Sequence, residues 1–196
     1  MERSYAALRE MLRNGQYRPG QRLEANRIAD EIGVSMTPVR DALNRLVGEQ
    51  LVEASSGEGF HVPRYSEGTL RDLYEWHSAL ITIAARTGQL PLPPIGEPDE
   101  IGGASLADMT VSLFERYASI APNREIRAAV ANVGDRLHPF RLLESQVLDP
   151  MIGELEELEA AGSGLLQAIR RYHLRRMKVI PALLQLRDDS SASSRL

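Results

Sequence analysis

Ile32-Gly33-Val34-Ser35-Met36-Thr37-Pro38-Val39-Arg40-Asp41-Ala42-Leu43-Asn44 reads as the turn and second helix of a helix-turn-helix. Ile32 closes a short amphipathic segment that carries Leu23, Ile28 and Ala29. Gly33 supplies the left-handed residue that ends a helix tightly, and Val34 plugs the space between two helices. Ser35 or Thr37 offers a hydroxyl to cap the next helix. Pro38 falls in its first turn, where a missing N–H costs nothing. Val39, Ala42, Leu43 and Leu46 form a buried stripe at helical spacing, which turns Thr37, Arg40, Asp41, Asn44 and Arg45 outward. A short turn followed by a polar, arginine-bearing helix is the geometry that sets a helix N-terminus into the major groove of DNA.

The flanks extend this motif into a winged helix. Tyr5, Leu8, Met11 and Leu12 predict a first amphipathic helix, ended by Asn14-Gly15. Arg18-Pro19-Gly20-Gln21-Arg22-Leu23 is a turn leading into a short extended piece. Leu51-Val52-Glu53-Ala54 and Phe60-His61-Val62 bracket the loop Ser55-Ser56-Gly57-Glu58-Gly59, the pattern of a β-hairpin. Residues 1–64 are therefore expected to form a winged-helix DNA-binding domain.

Pro63-Arg64-Tyr65-Ser66 predicts a hinge, and residues 65–187 an all-α bundle, so the fold class is mainly α. The first bundle helix starts near Ser66 and carries Leu70, Leu73, Tyr74, His77, Leu80, Ile81 and Ala84. Residues 88–103 hold too many Pro and Gly for a helix and predict a long loop. Helical periodicity then returns over 104–120, 123–147 (kinked at Pro139), 150–160 and 164–186 (bent at Pro181). Residues 188–196 predict a flexible polar tail.

Composition narrows the function classes. The 196 residues are 43% hydrophobic and 26% charged, as in an ordinary globular protein. With no cysteine there is neither a disulfide framework nor a thiolate metal site. No apolar run is long enough to span a bilayer and no signal peptide opens the chain, so a cytoplasmic protein without membrane partners is expected. The net charge of −4 is not spread evenly: residues 1–66 carry nine arginines against nine carboxylates and are neutral. Contact with DNA then depends on local placement, with Arg40 and Arg45 on the second helix and Arg18, Arg22, Arg27 and Arg64 as phosphate candidates. No Gly-rich phosphate loop or His/Glu metalloprotease spacing occurs, and the acidic run Glu154, Glu156, Glu157, Glu159 is a solvated helix face. The expectation is a non-enzyme without cofactor.

Residues 1–64 resemble the winged-helix domain of GntR-type bacterial repressors. The resemblance rests on Pro19 to Leu23, on Gly33 to Leu43 and on Gly57-Glu58-Gly59-Phe60-His61-Val62. The remainder resembles the helical effector domain of the FadR-type branch, often called FCD, through Leu113-Phe114-Glu115-Arg116-Tyr117-Ala118, Asn123 and the helix of His173. The resemblance implies a homodimeric transcriptional regulator, most simply a repressor, bound to an inverted-repeat operator in double-stranded DNA. Arg27, Ser35, Met36, Thr37, Arg40, Asn44, Arg45, Gly57 and Gly59 are its candidate DNA-contacting residues.

The departures from the family pattern are informative. Arg is usual where Met36 stands, and Arg-Gly is frequent where Glu58-Gly59 forms the wing tip. A methionine touches a thymine methyl rather than guanine, so two readings stay open: an altered operator, or a regulator that no longer reads DNA and acts through protein contacts. Many FCD-type domains hold a divalent metal through an Asp and a His four residues apart plus two later His. Val111 and Glu115 stand at the first two places and only His173 matches a later one, so no metal is expected. His77, which replaces an Arg of the pattern, lies with Arg141 and His173 close to the apolar stripes. Their convergence would suit a carboxylate or phosphate effector. The alternatives are that both histidines are hydrogen-bonded interior residues with Arg141 in solvent, or that the bundle only dimerises.

Overall fold

A computed structural model describes residues 2–55, 57–88, 105–149 and 152–193, the last four by backbone alone. Among these residues the chain divides into two compact units. One comprises residues up to Ser66 together with those from Gln185 onward; the other is Glu67–Leu184.

The first unit is the winged helix. α1 spans Glu2–Arg13, β1 Arg22–Leu23, α2 Ala25–Ile32, α3 Met36–Gly48, β2 Glu53–Ser55 and β3 Gly59–His61. The extended piece expected near Leu23 is a third strand: the antiparallel sheet has the order β1-β3-β2, with Leu23 opposite Phe60 and Ala54 opposite the same Phe60. One core holds the unit together. Leu8 and Leu12 of α1, Ile28 and Ala29 of α2, and Val39, Ala42, Leu43 and Leu46 of α3 are buried with Leu23, Leu51, Val52 and Val62. Each buried leucine contributes roughly 1.5–3 kcal/mol relative to exposure.

Gly33 ends α2 with φ 67° and ψ 45°, its N–H bonding to the Ala29 carbonyl. The chain then turns immediately into α3. Ser35 occupies the N-cap position with extended backbone, but its hydroxyl makes no capping hydrogen bond. Thr37, the other expected cap, lies inside α3.

In the second unit, α4 spans Glu67–Thr87, α5 Leu106–Ser119, α6 Arg124–Glu144, α7 Ile152–Ala160 and α8 Leu165–Lys178, with a 3-10 turn at Gly162–Gly164. α4 packs against α5, α6 and α8. α5 opens with a capping box in which Ser105 and Asp108 satisfy each other's backbone N–H groups, and Asn123 caps α6. α6 continues through Pro139. The expected loop over 88–103 falls, apart from Gly88, outside the described residues.

Two expectations change near the C-terminus. The helix over 164–186 is not bent at Pro181 but divided: α8 stops at Lys178, Val179 leaves helical geometry at φ −104° and ψ 8°, and α9 spans Ile180–Ser193. Pro181 thereby becomes the second residue of a new helix, where its missing donor costs nothing. The polar segment expected as a tail from 188 is the end of α9 as far as Ser193.

A Cβ added at Gly33 would meet nothing within 4 Å. Gly33→Ala is therefore expected to cost roughly 1–2 kcal/mol, purely from the left-handed backbone, and Gly33→Asn less. Urea midpoints of the two variants measure the difference.

Candidate DNA-reading surface and buried cation site

The buried stripe of α3 leaves a solvent face made of Met36, Thr37, Arg40, Asp41, Asn44 and Arg45, all exposed. Met36 is the first helical residue and is 47% exposed, an unusual place for a large apolar side chain. Arg40 forms no hydrogen bond or ion pair among the described residues. The two arginines of α3 differ here. Arg45 stacks over the Tyr5 ring at 3.6 Å, donates from Nε to Glu49 at 3.2 Å, and reaches Glu2 with Nη1 at 3.3 Å. Tyr5 in turn donates its hydroxyl to Glu49 at 2.8 Å. Arg45 thus ties α3 to α1.

Arg27 is exposed on α2 and Ser35 is exposed at the head of α3. At the wing, Gly57 and Gly59 have φ 83° and 88°. Gly59 is approached only by the Arg22 guanidinium, whose Nε would lie 3.7 Å from a Cβ there, and Gly57 is open.

In the helical unit, the three residues singled out from the stripes meet. His77 on α4, Arg141 on α6 and His173 on α8 are each at most 2% exposed. His77 Nδ1 lies 2.8 Å from His173 Nε2, Arg141 Nη2 lies 3.3 Å from His77 Nε2, and His173 Nδ1 lies 2.7 Å from the Ile169 carbonyl. A carbonyl only accepts, so His173 carries its proton on Nδ1. Neutral His173 then accepts at Nε2 from His77 Nδ1–H, and His77 Nε2 accepts from Arg141. One direction of donation runs from guanidinium to backbone. Phe114 packs edge-on against His77 at 4.8 Å between ring centres.

Among the described residues Arg141 has no carboxylate of its own. The nearest in sequence, Glu144, is fully buried and uses Oε1 to accept from Tyr74 at 3.0 Å and Oε2 to accept from Arg176 Nε at 3.0 Å. Arg176 also reaches Glu154 at 2.5 Å and stacks on Tyr172 at 3.4 Å. The Arg141 Nε and Nη1 groups are buried without a hydrogen-bond partner. A buried guanidinium with spare donors and no counter-charge is costly, and it is the chemistry that receives an oxyanion.

The Tyr74–Glu144–Arg176–Glu154 network escaped the sequence reading. Its only trace is that Glu144 and Arg176, of opposite sign, occupy stripe positions of α6 and α8. His138, next to Pro139, is buried and pairs with Asp108 at 3.0 Å.

The metal found in many FCD-type domains does not fit these residues. Glu115 is exposed, Val111 has no donor, and the one matching imidazole has its Nε2 engaged by His77. Among the described residues no group of three or more His, Cys, Asp or Glu is placed to hold a metal.

Burial is the main cause that pushes the His173 pKa down to about 3, against the opposing bond to Ile169, with Arg141 adding to the shift. Burial, then Arg141 and His173, hold His77 well below its ordinary value. The unfolded imidazoles take up protons below about pH 6.5 while the folded pair stays neutral. Stability is therefore full above that pH and is lost as pH falls toward 3, by up to about 1.4 kcal/mol per unit for each imidazole. The urea midpoint should fall between pH 7 and pH 5, and His173→Asn should make that fall shallower.

Residues 1–62 match the family model described as bacterial regulatory proteins, gntR family. The HTH-type transcriptional regulator YdhC of Bacillus subtilis is 30% identical over 159 residues, covering 71% of this chain and 68% of that protein. The Nta operon transcriptional regulator of Aminobacter aminovorans is 29% identical over 143 residues, covering 66% and 68%. The crystal structure of a GntR-type regulator from Rhodococcus sp. RHA1 superposes with a TM-score of 0.71 at 18% identity, covering 93% of this chain and 99% of that one. No described helix is long and apolar enough to cross a membrane. With its winged helix, the matched motif and a relative of this similarity over most of both lengths, the chain belongs to the GntR family of helix-turn-helix transcriptional regulators.

Proposed function

We propose that this regulator is a repressor that binds an inverted-repeat operator as a homodimer and is released by an oxyanion, a carboxylate or a phosphate, at Arg141. The second unit would then be an effector and dimerisation domain of the FCD type. The observation that carries the DNA half of this reading is the solvent face of α3. It presents Met36, Thr37 and an unpaired Arg40 directly after a tight turn, with the Ser35 hydroxyl left over from capping. In a major groove, Arg40 supplies the charged base or phosphate contact and Met36 packs on a thymine methyl. Thr37 and Asn44 supply hydrogen bonds, while Ser35, Arg27 and the backbone at Gly57 and Gly59 approach phosphates. Arg45 has a supporting part, because its guanidinium already holds Tyr5, Glu2 and Glu49.

Dimerisation is supported by α4, which exposes Trp76 and Ile83, two turns apart on one side of the helix. A second copy that covers them would set the spacing of the two reading helices to the half-sites of a palindrome. Release by an effector is supported by the buried, unpaired donors of Arg141. An anion there acts only through its different affinity for the DNA-competent and DNA-incompetent states.

Selection of duplexes from a random pool, followed by gel shift, tests the DNA half. Arg40→Ala is expected to lose about 1–3 kcal/mol of specific affinity with the fold intact. Arg45→Ala should lower the thermal midpoint more than it alters sequence preference. Failure of the wild-type chain to enrich any sequence would favour a regulator that works through protein contacts.

For the effector half, the chain is melted with inorganic phosphate and with short mono- and dicarboxylates. An anion should raise the midpoint of wild type and leave Arg141→Met unmoved. Without ligand, Arg141→Met should melt at or above the wild-type temperature, since it removes a buried charge that no carboxylate compensates. A lowered midpoint with no anion response would make the bundle a dimerising element only.

A further inference from the structure

α1 ends with a glycine in the left-handed region, Gly15 at φ 67°. The Gln16 N–H bonds back to the Met11 carbonyl at 3.1 Å and the Gly15 N–H to the Leu12 carbonyl at 3.1 Å, the paired bonds of a Schellman cap. Such a cap satisfies the last helical carbonyls but turns the carbonyls of the capping residues themselves outward. The Gly15 carbonyl and that of Tyr17, the residue just beyond the cap, are taken by a residue far along the chain: Arg187 of α9 donates from Nη1 to the Gly15 carbonyl at 3.3 Å and from Nη2 to the Tyr17 carbonyl at 2.9 Å.

Arg187 is 9% exposed, so this guanidinium has given up most of its hydration to hold main-chain oxygens. The placement is electrostatically favourable, because the C-terminal end of a helix carries a partial negative charge. Gly15 is required twice over. Besides its backbone conformation, a Cβ at that position would stand 2.8 Å from Arg187 Nη1. Tyr17, whose carbonyl Arg187 also holds, packs its side chain on the winged-helix core and sends its hydroxyl to the Met11 sulfur at 3.6 Å.

α1 is the helix on which α3 is seated. Leu8 and Leu12 share a core with Val39, Ala42, Leu43 and Leu46, and Tyr5 holds Arg45 and Glu49. We infer that Arg187 is a positioning residue for DNA binding: from the far end of the chain it completes the cap of α1, and through α1 it fixes the seat of the reading helix. The unit that touches DNA is then built from both ends of the sequence. This inference rests on the reading of α3 as the operator-contacting helix.

The test uses the full chain and a duplex selected from a random pool by the wild-type protein. Arg187→Met is expected to bind that duplex about tenfold more weakly while the dependence of log K on log salt keeps its slope, because Arg187 touches no phosphate. Hydrogen exchange at the Gly15 and Gln16 amides should quicken at least tenfold, with the amides of α4 and α6 unchanged. Arg187→Lys, which keeps the charge without the planar fork, should recover part of both losses, and it carries the test alone if Arg187→Met does not fold. Affinity within twofold of wild type, unchanged exchange at Gly15 and Gln16, or a salt slope reduced by about one would each overturn the inference. If the wild-type chain selects no duplex, the operator reading fails, and the exchange measurement still decides whether Arg187 holds the cap.

Discussion

Everything the winged helix presents depends on α3 having a single buried face. Val39, Ala42, Leu43 and Leu46 are inaccessible to solvent, and they lock the rotation of the helix about its axis to within the packing of a core. Once that rotation is set, Met36, Thr37, Arg40 and Asn44 have no direction to take but outward. Arg45 lies at the margin, where the aromatic face of Tyr5 and two carboxylates of the same unit compete for it. A residue at the edge of the exposed arc is drawn into the fold, and one at its centre stays in solvent.

Charge is managed differently in the helical unit. Arg141 and Arg176 are drawn into its interior with the carboxylates Asp135 and Glu144, but among the described residues the arginines are not each matched to a carboxylate. Arg176 takes Glu144 and Glu154 together, and Tyr74 closes the remaining side of Glu144. Among the described residues Arg141 is left with an imidazole as its one hydrogen-bonding neighbour. Because a neutral histidine supplies an acceptor but no counter-charge, the chain from Arg141 through His77 to His173 orients the guanidinium without neutralising it. The proposed anion site rests on that imbalance, while burial first, with Arg141 adding to it, keeps both imidazoles neutral.

Much of this was legible in residue order. The helix-turn-helix, the wing, the stripe of α3 and the position of His77, Arg141 and His173 close to apolar stripes follow from helical and strand periodicity and from turn residues such as Gly33 and Gly15; that the three side chains meet does not. Those signals act over a few residues and report directly on backbone geometry. Periodicity failed where local chemistry competes with it. Pro181 sits in a continuous apolar stripe, yet its ring and missing donor make a helix start cheaper than a bend. The polar end of α9 has the composition of a tail but continues as helix as far as Ser193.

The sequence by itself determined which faces are apolar, where helices stop and which charged residues fall on buried positions, because these depend on neighbours at fixed spacing along one element. Tertiary structure alone decided which buried charge meets which. Arg176 finds Glu144 across 32 residues and Arg187 finds Gly15 across 172. The physical reason is that a charged side chain at a stripe position must be satisfied by whatever oxygen or nitrogen the opposing element brings within about 3 Å, and that choice is made only when the elements pack.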